Sequence, residues 1–152
     1  MTAADPVESN KALLRRVLKA YERGDYEPIF AALDEDVVWS SNSLANHYRF
    51  GGTRRGRAGV VEALSMIAAD YDISRYDVVE MVGEGDVIWA TSELSLYDRK
   101  TGRPLTFPLV NRWQFRDGRI VSCSEFFDTA AVLQQQGRIP SDLPRDITAK
   151  GS

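Results

Sequence analysis

The sequence holds a single cysteine, Cys123, and a single histidine, His47, among 152 residues. One thiol cannot close an internal disulfide, which suits a reducing cytoplasm. These two residues lie far apart in the chain, so metal-ligand spacing is missing and no metal site is expected. No apolar run approaches the roughly 20 residues that cross a bilayer, so no membrane segment is expected. The opening stretch, MTAADPVESN, has neither a basic start nor an apolar stretch, and is not expected to act as a secretory leader. A net positive charge is also absent. The net charge is -3, which gives no bulk attraction for nucleic acid. There is no internal repeat and no low-complexity segment. Gly51, Gly52 and Gly56 do not make a phosphate loop, because the Gly-Lys-Ser/Thr ending is missing.

What is present is an ordinary globular composition, 43% hydrophobic, and a length that suits one domain with a real core. Asp5-Pro6-Val7-Glu8 is a helix start, with Asp as cap, Pro at the first position and Glu in the first turn. Leu13, Leu14, Val17, Leu18 and Tyr21 then recur at helical spacing, and Gly24 ends the helix. Asp25 is expected to cap a second short helix through Ile29, Phe30 and Leu33. Val37-Val38-Trp39 is β-prone. Ser40 to Arg57 is polar and Gly-rich and predicts a loop or flap. Val60, Val61, Leu64, Ile67 and Ala68 predict a third helix over Ala58 to Asp70.

From Asp72 onward the pattern turns to strands. Val78 to Val82 predicts one strand, Gly83-Glu84-Gly85 a turn, and Asp86 to Tyr97 the next strand. Thr101 to Asp128 predicts two long strands around an Asp117-Gly118 turn, the strongest short-range hairpin signal. Asp128 opens a short last helix that stops at Gly137. Residues 1–137 thus form one domain, and 138–152 a loosely packed tail. Three helices, a strand meander and a short helix make an α+β order. A curved sheet wrapped over the helices would leave a pocket between the layers.

Side chains alternate across a strand. One face of the middle hairpin strand carries Phe107, Leu109, Asn111 and Trp113, and one face of the last carries Cys123, Glu125 and Phe127. A lone Asn and a lone Glu on apolar faces are expensive unless paired or used. On the opposite face, Val110, Arg112 and Gln114 are expected beside Trp89, Thr91 and Glu93, with Arg112 near enough to pair with Glu93. An exposed tryptophan there predicts a covering partner subunit.

The ordered pattern carries a family resemblance. It runs from Gly24-Asp25 through Leu33-Asp34-Glu35-Asp36-Val37-Val38-Trp39 and Gly56-Arg57. It continues with Phe115-Arg116-Asp117-Gly118-Arg119-Ile120, Glu125-Phe126-Phe127-Asp128 and Leu133 through Gly137. In this order, over about residues 8 to 137, the chain resembles the SnoaL-like branch of the nuclear transport factor 2-like superfamily. The resemblance implies a cone-shaped α+β barrel: a curved, mainly antiparallel sheet over three N-terminal helices, with one deep, mostly apolar cavity. It also implies a homodimer through the outer sheet face. It implies no single reaction, since cyclases, isomerases, dehydratases, epoxide hydrolases and non-enzymes share the fold.

Carried over residue by residue, the family's sites are mostly missing. The general base of ketosteroid isomerases falls at Ser41, their phenolic donor at Val17 and their protonated acid at Asn111. The limonene-epoxide hydrolase set falls at Leu94, Ser92, Glu125, Trp39 and Ser41, where only the acid Glu125 survives. Polyketide cyclases of this branch place a histidine and an acid at Asn111 and Glu125, and again only the acid is kept. A one-residue slip of the strand ending in Leu94 would turn Glu93 inward instead of Ser92 and Leu94.

Glu125 and Asn111 are therefore the catalytic candidates. Glu125 is an acid or base with its pKa raised by burial, or an acid tied to an arginine at the cavity mouth. Asn111 offers its amide to a developing oxyanion or to Glu125, or is a satisfied core amide. Val17, Tyr21, Trp39, Ser41, Ser92, Phe107, Leu109, Trp113, Cys123 and Phe127 are expected to line the ligand pocket, together with His47 and Tyr48 of the flap. His47 reads as a gate or second proton carrier, or as a solvated loop residue. Cys123 reads as a small apolar residue on the cavity side, and Asp128 as a helix cap. Arg54, Arg55 and Arg57 read as a solvated loop. The expected partners are a hydrophobic small molecule and a second copy of the chain, with no cofactor.

Overall fold

The computed structural model describes residues 3–140. Helix α1 covers Pro6–Glu22, and the Asp5 carboxylate accepts the Val7 N–H at 3.0 Å. Its inward stripe, Leu14, Val17, Leu18 and Tyr21, is buried. Helix α2, Glu27–Ala32, starts at Tyr26 with no side-chain cap, so Asp25 does not have the expected role. Leu33 leaves this helix and begins strand β1, Leu33–Ser41, which is longer than the Val37 to Trp39 run predicts. The reason is its neighbour: Leu33 is fully buried and pairs with Ile120. Strand β2, Thr53–Arg55, forms inside the stretch expected to be irregular. Helix α3 covers Arg57–Asp70.

Strand β3, Tyr71–Glu84, follows at once and starts well before Val78. Register shifts between Ile73 and Arg75 and between Val78 and Glu80 break its two-residue period. Gly83 lies inside this strand rather than in the turn. A Cβ there would come within 2.5 Å of Val7 Cγ1 and 2.6 Å of Ile88 Cδ1, so α1 and β4 close over bare backbone. Strands β4, Val87–Asp98, β5, Arg103–Arg116, and β6, Arg119–Phe126, complete the meander, and α4 covers Thr129–Gln135. Asp117 (φ 50°) and Gly118 (φ 75°) both take positive φ, as a two-residue hairpin turn requires.

The six strands lie in the order β2-β1-β6-β5-β4-β3. All neighbours are antiparallel except β1 and β6, which run parallel. The sheet curves over the helices as a cone but stays open, with β2 and β3 at its edges. α1 packs on β3 and β4, and α3 on β1, β2 and β3, so the concave face and the helices enclose the core. No described helix is long and apolar enough to cross a membrane.

On the convex face Trp89 and Phe126 remain 44% exposed each and stack on one another, ring centroids 6.3 Å apart. Arg112 does not pair with Glu93. Arg112 lies opposite Trp89, whereas Glu93 lies opposite Pro108, and the guanidinium instead donates to Gln114 at 3.4 Å. Of the C-terminal stretch, Arg138 donates to the His47 carbonyl at 2.6 Å and sits over the Tyr48 ring, and Ile139 packs on the core. Residues 141–152 lie outside the described residues.

Candidate active site

A narrow apolar cavity runs between the concave sheet face and the helices, with about 760 Å³ of atom-free space including its mouth. α1 contributes Leu18 and Tyr21, β1 Trp39, and the 42–52 connection Tyr48 and Phe50. β3 contributes Tyr71, Ile73 and Tyr76, and β4 Leu94 and Leu96. β5 contributes Leu105, Phe107, Leu109, Asn111 and Trp113. Ile29 of α2, Leu64 and Ile67 of α3, Glu125 of β6, Phe127, and Val132 of α4 finish the wall. These residues line up because strand alternation sends every second side chain inward. Glu93 points outward and Leu94 inward, so the strand has not slipped.

Among the described residues, Glu125 is the one acid on this wall, and no Lys, Arg or His lines it. Glu125 is half-buried, and its side chain lines the cavity. Burial raises its pKa from 4.5 to about 7, opposed by one hydrogen bond from the Trp39 indole N–H. That bond is available because β1 lies parallel to β6, with Trp39 opposite Cys123 and Ser41 opposite Glu125. Among the described residues no arginine approaches the carboxyl, so the alternative of an arginine-tied structural acid finds no partner there. Two phenols face it. Burial, and then the charge of Glu125, raise the pKa of both Tyr21 and Tyr76.

Asn111 lies directly across the β5–β6 ladder from Glu125 but does not donate to it. Its amide donates to Cys123 Sγ at 3.5 Å, and its carbonyl accepts from the Tyr76 hydroxyl at 3.4 Å. The thiol sulfur is a weak acceptor and the phenol contact is long, so the amide is held in place but weakly engaged.

Of the expected pocket residues, Tyr21, Trp39, Tyr48, Phe107, Leu109, Trp113 and Phe127 reach the wall with Glu125 and Asn111. Five do not. Val17 is fully buried one turn below Tyr21, in the packed core under the cavity. Cys123 is buried beneath Asn111, with its thiol pKa raised well above normal by burial and then by Glu125. Ser92 is buried near Tyr76 without a well-formed hydrogen bond of its own. Ser41 turns aside to bond Ser43 at 2.7 Å. His47 is exposed; its backbone N–H donates to the Leu44 carbonyl at 3.0 Å and its carbonyl accepts from Arg138, while its imidazole has no hydrogen bond among the described residues. Tyr76 and Tyr71 are the hydroxyl-bearing wall residues that sequence reasoning missed. An aromatic every fifth position is neither a helical nor a strand period, and the register shift at Ile73 is what turns Tyr76 inward.

This geometry can be set beside known proteins. The profile of the SnoaL-like domain matches residues 14–123. The chain belongs to the SnoaL-like family, within the broader nuclear transport factor 2-like fold. Solved structures agree. An NTF2-like protein of unknown function from Burkholderia pseudomallei K96243 is 26% identical, with a TM-score of 0.74, over 84% of this chain and 96% of that one. A presumed isomerase from Rhodopseudomonas palustris is 24% identical, with a TM-score of 0.75, over 89% and 97%. TerC, co-crystallised with polyporic acid, is 23% identical, with a TM-score of 0.74, over 85% and 98%. Among the curated proteins, none matches the chain.

Proposed function

We propose that the protein is an enzyme that moves a proton on a hydrophobic small molecule bearing a carbonyl or hydroxyl group, of isomerase, dehydratase or cyclase type. The observation that carries this reading is Glu125: among the described residues a lone carboxyl, unpaired with any cation, at the wall of an apolar cavity and poised to titrate near neutral pH. In its ionised form Glu125 takes a proton from a carbon beside the substrate carbonyl. Negative charge then grows on the carbonyl oxygen, which Asn111 and the Tyr76 phenol, on the adjoining wall, are placed to hydrogen-bond. Glu125 returns the proton to another carbon for an isomerisation, or to a leaving hydroxyl for a dehydration. Trp39, Tyr21, Leu109 and Phe127 shape the apolar body of the site. We also place the protein in the cytoplasm, with its lone thiol buried, and as a homodimer joined over Trp89 and Phe126.

The second reading is a protein that holds an apolar ligand without turning it over. It is favoured by the wall's having, among the described residues, one charged group and no second acid or base of that strength. Glu125→Gln separates the two. The amide still accepts from Trp39 but cannot carry the proton. For an enzyme, turnover falls by roughly a hundredfold or more while binding persists. A Gln variant that keeps the parent's turnover of a converted substrate sinks the first reading.

A further inference from the structure

The carboxyl of Glu125 sits among two edge-to-face aromatic pairs. Trp39 and Trp113 meet at 5.4 Å and 89°, and Tyr21 and Tyr76 at 6.2 Å and 86°. Trp39 bonds the carboxyl, Trp113 stands opposite Cys123 two residues along β6, and both tyrosines lie within reach of its charge. Among the described residues the site therefore combines an unpaired acid with aromatic faces and has no cation. An ionised carboxylate in such surroundings is costly until a positive charge joins it, and aromatic faces attract the same charge. We infer that this cavity binds lipophilic amines in their protonated form, with the ammonium against Glu125 and the apolar body along the cavity. This rests on the reading of the cavity as a ligand site, but not on proton transfer to a substrate.

The titratable groups facing Glu125 are Tyr21 from α1, Tyr76 from β3 and Cys123 from its own strand; β1, β4 and β5 add none. Burial keeps all three protonated and neutral through the range in which Glu125 titrates. Any pH dependence of ammonium binding between neutral and weakly acidic conditions therefore belongs to Glu125.

The test is calorimetry on the unmodified protein with 2-(aminomethyl)naphthalene hydrochloride and its neutral counterpart 2-naphthalenemethanol. The amine is expected to bind at least tenfold tighter than the alcohol at about pH 8, and to weaken by up to about tenfold per pH unit below neutrality. At about pH 6, runs in buffers of different ionisation enthalpy should show close to one proton released per amine bound, and none for the alcohol. In Glu125→Gln the amine's advantage and its pH dependence should vanish, while alcohol affinity changes by less than about threefold. An alcohol that binds while the amine binds no tighter overturns the inference and leaves the enzyme reading standing. Amine preference without turnover of any substrate supports the inference and counts against the enzyme. Failure of both probes to bind overturns both.

Discussion

Glu125 gives the stability of the protein a definite dependence on pH. Its carboxyl binds a proton more tightly folded than unfolded, since burial lifts the pKa from 4.5 to about 7. The stabilisation is therefore complete below the unfolded value and is lost as pH rises through the folded one. The full swing is on the order of 3 kcal/mol. The Gln isostere has no charge to bury. Melting curves should show Glu125→Gln close to the parent at pH 5 and more stable than the parent at pH 8. A variant that melts well below the parent at both pH values would mean that the carboxyl is structural. The candidate acid itself was legible from strand alternation alone, because a Glu between Cys123 and Phe127 has nowhere to point but inward. Its donor was not. Trp39 lies 86 residues away, and nothing local to either residue announces the parallel pairing of β1 with β6 that joins them.

At the scale of elements, the hairpin of β5 and β6 was the most readable part. Asp117-Gly118 specifies the turn, and the turn sets the register that places Asn111 opposite Glu125. Strand β3 was the least readable, because its register shifts spoil the alternation just where Tyr76 turns inward. Val17, Ser92 and Cys123 show the other limit: an inward-facing side chain reaches the cavity only where the layers part, and these three lie where they are closed. Gly83 marks a closed point of the same kind. Gly83→Ala pushes a methyl into Val7 and Ile88, and is expected to lower stability by about 1–3 kcal/mol in denaturant titrations. A neutral outcome would mean that α1 stands off from β3 at this point.

At the scale of the whole molecule, the convex sheet face is unfinished. Trp89 and Phe126 are stacked but 44% exposed, and Val82 beside them is 59% exposed. Apolar surface of this kind on a sheet face calls for a cover, and in the proposed homodimer a second copy would supply it by symmetry. Trp89→Glu is expected to leave the fold intact and to halve the mass seen by light scattering at micromolar concentration. An unmodified protein that is already monomeric there removes the dimer. The three tryptophans, meanwhile, are spread over separate environments. Trp39 and Trp113 are 8% and 1% exposed on the cavity wall, while Trp89 is open on the convex face. Their emission thus divides into a shielded, short-wavelength part that senses what enters the cavity and a solvent-quenchable part that senses what covers the sheet. The protein carries its own optical report on each event, and a soluble quencher added from outside tells one from the other.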